Sequence, residues 1–383
     1  MATTNKKVIK TALAGADEIG IQQLLFCLSQ IPDSRAENVT YQLTDILILM
    51  LVAMAGGADH AIAIVEFCEG HAHWFKKVFG INKIPSIHTF YRTACLLDAQ
   101  RLEEAMESWI HTWREALPGE EPEIVSLDGK SMNGFKESYL NMVSAFSSRN
   151  GLILGEVCTE GSKRNEQVAM VKLIKVLSLK GAIITSDAMG TQITVVDAIC
   201  EAGADYVLPV KNNQKDTAEA IKLCFDTPFT DVEYFKTVNK HGGRFEEREY
   251  EMILLNQHKI PFTEKWQKLT AIGKSTSTVT EKGVTTIDVH HYIMSVNNIQ
   301  DFAMAARSHW GVESMHWKLD VIFREDDCML RDKNAQKNMG VLRKIILNAF
   351  KLDDPKSNIA SRRRRSGWNE KELLKTIKLL ARI

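Results

Sequence analysis

Two apolar runs in this chain end in the same way. Ile124-Val125-Ser126-Leu127 runs into Asp128-Gly129-Lys130, and Ala182-Ile183-Ile184-Thr185-Ser186 runs into Asp187-Ala188-Met189-Gly190. Short apolar runs bounded by turn signals read as strands. A strand that ends in an acid and a glycine turn presents its carboxylate at a sheet edge, where ligands bind in α/β folds. Two such strands side by side lie about 4.8 Å apart. That spacing suits two divalent cations about 4 Å apart, the arrangement that cleaves phosphodiesters. A third acid, Glu313, lies in ARSHWGVESMHWKLDVIF, a stretch of helical periodicity. A lone strand-end Asp is more often a turn residue than a ligand. Asp128, Asp187 and Glu313 together form a candidate metal-binding set.

At 383 residues the chain should hold two or more folding units. Its 45% hydrophobic and 25% charged residues suit a soluble globular protein with a full core. Lys+Arg and Asp+Glu are both 48, so nucleic-acid binding would have to rest on local basic patches. The seven cysteines are scattered without CxxC spacing, which points to neither a zinc knuckle nor a disulfide framework. With no signal peptide, this leads us to expect a reducing cytoplasm. The longest uncharged apolar run, Ile46 to Ala58, has 13 residues, too few to span a bilayer, and reads as a buried helix.

Residues 1–117 read as an N-terminal helical domain, with apolar residues at helical spacing over Tyr41–Ala55, Ala61–Phe79 and Thr89–Leu117. Pro118-Gly119-Glu120-Glu121-Pro122 is a polar linker. Over 118–224 strands are expected at Glu123–Leu127, Asn141–Phe146, Leu152–Thr159, Ala182–Ser186 and Tyr206–Val210, with helices at Asn165–Leu177 and Thr191–Ala202. Three strands in meander followed by alternating helices and strands describe an α/β fold with a mixed sheet. No GxGxxG follows the first strand, which disfavours a dinucleotide fold. Residues 225–297 alternate as β structure, at Arg244–Leu255, Lys268–Ile272 and Thr286–Ser295, and read as an insertion projecting from the core. Residues 298–383 return to helix, with the basic tail Arg362–Arg365 before a last helix.

On one helix over Asp301–Phe323, residues His309, Glu313, His316, Asp320 and Arg324 would share a polar stripe. Val312, Met315, Leu319 and Ile322 would form the buried stripe beside it. Such a polar stripe can be merely a solvated face. This one, however, is rich in His and carboxylate and is flanked by Trp310 and Trp317. HExxH is absent and no distant Cys/His pair completes a tetrahedral site, so zinc is disfavoured against Mg²⁺ or Mn²⁺ on oxygen ligands. The histidines are then expected to orient Glu313, to touch a phosphate, or to pack.

The ordered series SLDGK, NMVSAF, KRNEQ, ITSDAMGTQ, GADYVLPVKNNQ, HGGRFEEREY and RSHWGVESMHWKLDVIFREDDCMLR resembles the H-repeat-associated insertion-sequence transposases. These belong to the DDE group with a ribonuclease H-like catalytic core. The resemblance runs from about residue 30 to 350 and includes IPDSR and LTDILILMLVAMAGG, similar to the family's associated helical domain. It implies that Asp128, Asp187 and Glu313 are the catalytic triad holding two Mg²⁺ ions (Mn²⁺ as an alternative). It also implies that Asn165, Glu166, Gln192, Lys211, Gln214, Arg244 and Arg248 lie near DNA or the active site. Asn165 and Glu166 could equally cap a helix. A chain of zero net charge would hold DNA by concentrating basic residues near the acids, with Lys130, Lys211, Arg244, Arg248 and Arg307 the candidates alongside Gln214, His309 and His316. Ser131-Met132-Asn133-Gly134, Asn141, Ser314 and Asn212 depart from the family's pattern. These departures bear on phosphate contacts near Asp128 and on activity, not on the fold.

The implied function is a DNA transposase that binds the terminal inverted repeats of its element, cleaves there and joins the ends to target DNA. It would act as a homodimer on paired ends, in the cytoplasm at the nucleoid and without a membrane. A catalytically silent or domesticated DNA-binding derivative and a structure-specific nuclease are the alternatives on the same fold.

Overall fold

The computed structural model describes residues 26–35, 39–116, 122–132, 140–160, 164–227, 231–255, 260–353 and 357–380. The chain opens with α1 (Leu43–Ala55), α2 (Ala61–Gly70), α3 (Ala72–Phe79), α4 (Ile87–Leu96) and α5 (Ala99–Ala116). Leu43 and every residue of α1 from Ile46 onward are buried, as its unbroken apolar run requires. The two longer helices expected downstream are each divided. The first breaks at His71, whose φ of −112° leaves the helical region. The second breaks at Leu97, which is extended, after which the Asp98 side chain accepts from the amides of Gln100 and Arg101 and starts α5.

The strands are β1 (Ile124–Met132), β2 (Leu140–Ser147), β3 (Leu152–Glu160), β4 (Ile183–Ser186), β5 (Asp205–Val210), β6 (Val232–His241), β7 (Arg244–Leu254), β8 (Ala271–Glu281) and β9 (Val284–Met294). They form one mixed sheet in the order β3-β2-β1-β4-β5-β9-β8-β7-β6. β1, β2 and β3 are antiparallel neighbours, whereas β1, β4 and β5 run parallel. The parallel steps need crossovers, which α6 (Arg164–Val176) and α7 (Ile193–Glu201) supply. The 225–297 segment is joined to the core through the sheet itself. β9 pairs along β5 from Val207↔Met294 to Val210↔His291, so its strands extend the same sheet. The buried Val207 and Leu208 would otherwise leave β5 as an unpaired apolar edge. β6 escaped the sequence reading because VEYFKTVNKH, largely exposed at the sheet's far edge, shows no alternation. β8 extends well beyond the expected Lys268–Ile272. Its polar half, Lys274-Ser275-Thr276-Ser277-Thr278, is carried by ladders to β7 and β9 rather than by burial. The helix α8 (Lys215–Asp226), also not foreseen, packs against β5 and β9.

The C-terminal helices are α9 (Ile299–Ser308), α10 (Trp310–Trp317), α11 (Lys333–Asp353), α12 (Ile359–Trp368) and α13 (Glu370–Leu380). A π-helical turn, Lys318–Ile322, follows α10. α11 packs between β3 and the N-terminal helices, which therefore share one core with the sheet. Its Asn334 and Asn338, one turn apart, donate to the carbonyls of Ala94, Cys95 and Leu97 at the end of α4. Those carbonyls have no partner inside their own helix.

The run Arg362–Arg365 is not a solvated tail. Arg362 and Arg363 are buried within α12, and only Arg364 and Arg365 are exposed. Arg362 donates to the Phe350 carbonyl. Arg363 pairs with Asp59, donates to the Met54 carbonyl and lies over the Phe323 ring at 4.6 Å. Arg363→Ala leaves Asp59 and the Met54 carbonyl without this cation. It is expected to destabilise the fold by about 3 kcal/mol, read as a lowered urea midpoint, with Arg365→Ala near neutral.

Candidate active site

β1 and β4 pair in parallel with Leu127 opposite Ser186, so Asp128 and Asp187 follow the last pair of that ladder side by side. Asp128 does not end its strand in a glycine turn as expected: β1 continues to Met132 on its ladder to β2, with Asp128 opposite Ser144. Asp187 then caps the 3₁₀ turn Ala188–Gly190, its Oδ1 accepting from the Gly190 amide at 2.9 Å. Beside Asp128, Gly129 permits a close approach from α6: a Cβ there would lie 2.0 Å from Glu166 Oε1. Glu166, expected near the site or as a cap, thus packs over the backbone next to Asp128. Asn165 lies in the first turn of α6.

Glu313 comes from α10, which seats Val312 and Met315 in the core and packs against β1 and β2. The Glu313 side chain is exposed and makes no hydrogen bond or ion pair among the described residues. One turn on, the ring Nδ1 of His316 lies 3.3 Å from Asp128 Oδ2, tying α10 to the end of β1. His309 sits at the junction of α9 and α10. Burial pushes its imidazole below its usual pKa, while the charges of Asp128, Asp187 and Glu313 pull the other way. All three acids therefore act on the charge of one histidine. His309 Nδ1 and His316 Nε2 are buried and find no hydrogen-bond partner among the described residues.

The expected five-residue stripe is only partly realised. In its first part Glu313 is exposed whereas His316 is buried. The π turn then shifts the helical phase, so Asp320 points to Lys130 instead of the cleft. Arg324, at φ 52°, has left the helix and pairs with Asp327 at 2.8 Å.

A cleft of about 1050 Å³ opens beside these acids, lined by Asp187, Glu313 and His309 together with Lys211, Arg244, Arg248 and Arg307. Lys211 is exposed and has no ion-pair partner among the described residues. Arg248 is buried and paired with Glu246, which also lies 3.7 Å from Arg244. Burial, and next the Arg248 charge, lower the pKa of Arg307. These cations come from β5, β7 and α9, far apart in sequence, onto one face.

Two expected DNA contacts lie elsewhere. Lys130 is sequestered, its ammonium paired with Asp320, Glu325 at 3.0 Å and Asp326 at 3.5 Å. Burial demands such pairing for a cation beside three acids, and it removes Lys130 from the surface. Gln214 bridges the Thr191 carbonyl and Lys265 instead of facing the cleft. Gln192 is the N-cap residue of α7, its amide reaching the Met189 carbonyl. Among the family departures, Ser314 lines the cleft, Asn141 accepts from Ser131 Oγ at 2.6 Å, and Asn212 opens a 3₁₀ turn. Asn133 and Gly134 lie outside the described residues.

Among the described residues no three His, Cys, Asp or Glu side chains are drawn together tightly enough to hold a metal ion. Asp128, Asp187 and Glu313 lie on neighbouring elements without closing into a cage. Their chemistry still fits a hard divalent cation, because all three donors are carboxylates and Glu313 is otherwise uncommitted. Also among the described residues, no helix is long and apolar enough to cross a membrane.

The family described as "Transposase DDE domain" matches residues 119–349, and its companion, "DDE_Tnp_1-associated", matches residues 25–110. "Putative transposase YncI" of Escherichia coli O157:H7 is 32% identical, over 92% of this chain and 93% of that protein. "H repeat-associated putative transposase YhhI" of Escherichia coli K12 is 30% identical, over 87% and 91%. DDE transposase domains generally depend on divalent metal. The chain belongs to the DDE transposase family, with the H repeat-associated transposases among its relatives.

Proposed function

We propose that the chain is a DNA transposase acting on a ribonuclease H-like core, which binds the inverted-repeat ends of its element, cleaves them and joins the 3′-hydroxyls to target DNA. The observation that carries this reading is the placement of Asp187, Glu313 and His309 in one cleft with Lys211, Arg244 and Arg307, while Asp128 stands on the strand beside β4, 3.3 Å from His316 of the Glu313 helix. The strand order β3-β2-β1-β4-β5, three strands antiparallel and then two parallel steps, supports the core assignment. On this reading 118–224 and 298–383 make up the core, 225–297 widens it on one side, and 1–117 is the associated helical domain.

Asp128, Asp187 and Glu313 would hold two Mg²⁺ ions, with Mn²⁺ a substitute; bound there, they supply Lewis-acid activation of a water or 3′-hydroxyl and neutralise the leaving oxygen. The protein's own groups do the positioning. His316 holds one oxygen of Asp128, and the Gly190 amide holds one of Asp187. Lys211, Arg244 and Arg307 engage phosphates of the duplex along the cleft, while His309, mostly neutral at pH 7 because of its burial, can donate to a phosphate oxygen. The partners are duplex DNA at the element ends and target DNA, with two protomers on paired ends. The cellular setting is the cytoplasm at the nucleoid.

Incubation with element-end DNA, target plasmid and Mg²⁺ tests the reading. Joined product supports it. Cleavage without joining would make the protein a nuclease, and a shifted band alone a silent DNA-binding derivative. Salt dependence tests the cleft separately. Lys211→Ala should lower the log–log salt slope of duplex binding by roughly 0.9, one phosphate contact. Lys130→Ala should leave that slope unchanged, because its ammonium is turned inward.

A further inference from the structure

Beside the acid cleft runs a second groove, of about 810 Å³, between the π turn and α12. Trp317 and Lys318 line both, so the groove and the cleft share a wall. Its far wall carries Arg364 and Trp368. The two indoles are 58% and 80% exposed, which leaves large flat apolar faces in water. Among the described residues no acid lines the groove, whereas Lys318, Arg363 and Arg364 do. Arg363 is committed to Asp59, but Arg364 makes no ion pair among the described residues. The wall is held rigidly: a Cβ on Gly367 would lie 2.4 Å from the Gly56 carbonyl oxygen, so α12 rests directly on the end of α1.

Flat aromatic faces alternating with cations suit one polyanion above others. A base offers its face to an indole only when it is unstacked, and the phosphates between bases suit Lys318 and Arg364. Duplex DNA hides its base faces and would leave both tryptophans in water. Trp317 is four residues, about 6 Å of helix, from Glu313. A strand with a phosphate at Glu313 therefore reaches the groove within a few nucleotides. We propose that the groove between Trp317 and Trp368 takes an unpaired DNA strand leaving the acid cleft, its bases stacked on the indoles and its phosphates held by Lys318 and Arg364. This rests on the transposase reading given above and adds to it a site for melted DNA beside the cleavage point.

The test compares two labelled substrates of the same element-end sequence, one blunt and one carrying an unpaired oligothymidine tail, bound to the full chain by fluorescence anisotropy. The wild type should bind the tailed DNA at least fivefold tighter and show quenched tryptophan emission. Trp368→Ala should remove most of that preference and most of the quenching, and Arg364→Gln part of the preference. Both should keep blunt-duplex affinity within about twofold and an unchanged melting midpoint. Equal affinity of the wild type for both substrates, or an undiminished preference in Trp368→Ala, overturns the proposal. So does a loss of self-association in Trp368→Ala by sedimentation, which would make a second copy the occupant. Failure of the underlying reading looks different: no blunt-duplex binding and no metal-dependent cleavage, whatever the tail does.

Discussion

Replacing Asp128, Asp187 or Glu313 by alanine is expected to abolish divalent-metal-dependent cleavage of element-end DNA, with affinity for that DNA equal or slightly higher. The charges of the three acids all act on His309, and they come from β1, the end of β4 and α10. Each would be one wall of the ion site, so losing one forfeits several kcal/mol of charge stabilisation, on the order of a thousandfold or more in rate. Binding behaves oppositely, since removing a carboxylate from a basic cleft relieves repulsion toward phosphate. Glu313→Gln is the most discriminating variant, because Glu313 is exposed and makes no hydrogen bond or ion pair among the described residues. Its loss cannot be blamed on unfolding. His316→Asn, which removes only the contact that steadies Asp128, should lower the rate far less and raise the metal concentration needed for half-maximal cleavage. A Glu313→Gln protein that still cleaved at the wild-type rate would remove Glu313 from the mechanism. Cleavage lost together with DNA binding in all three variants would point to a scaffold role instead.

Why these acids were legible before any coordinates is a matter of local signals. Asp187 closes an apolar run with a turn, and a strand end of that kind announces itself within a few residues. Asp128 was read the same way, yet β1 runs on to Met132, because its ladder to β2 carries the polar residues that follow. Glu313 was placed by helical spacing, which held over Trp310–Trp317 and failed at Lys318–Ile322. A π turn has no compositional signature here, so Asp320 and Arg324 were assigned to the wrong side. Lys130 was misread for a different reason. Its three acidic partners come from residues 320–326, nearly two hundred positions away, and nothing near a DGK tripeptide reveals that an ammonium will be buried. The Arg362–Arg365 run shows the same limit, since a tetra-arginine reads as solvated until Asp59 and the carbonyls of Met54 and Phe350 are found around it. The sheet's outer half was hidden because β6 and the distal part of β8 are held by backbone ladders, which side-chain alternation does not report. The pairing of β9 with β5, which makes 225–297 continuous with the core, is likewise a nonlocal contact.

Removing Lys344 should be among the most damaging single changes in the chain. Its side chain on α11 is fully buried, paired with the equally buried Glu156 of β3 and lying 3.9 Å from Glu325. Glu325 also takes Lys130 at 3.0 Å, so the network runs from α11 to the strand that carries Asp128. Lys344→Met leaves Glu156 buried without its cation, and such a break is expected to lower stability by about 3–5 kcal/mol. Lys344→Met combined with Glu156→Leu should recover much of that, because two apolar side chains of similar volume remove both charges at once. The acids of this cluster also set a pH dependence. The lysines around Glu325 overcome its burial and hold its carboxyl down at about 2. Its contribution is therefore present above about pH 4.5 and lost as pH falls toward 2. Burial does the reverse to Glu103 and Glu107 on α5, raising them to about 8 and about 7. The folded chain there keeps protons that the unfolded chain releases above about pH 4.5, so stability declines as pH rises from there toward 8. The urea midpoint should therefore peak on the acid side of neutrality, near pH 5, and Glu103→Gln should flatten its fall between pH 5 and 8. A midpoint that climbs across that interval would mean Glu103 and Glu107 ionise freely in the fold, and that the cluster joining α5, β3 and α11 is wetter than its packing implies.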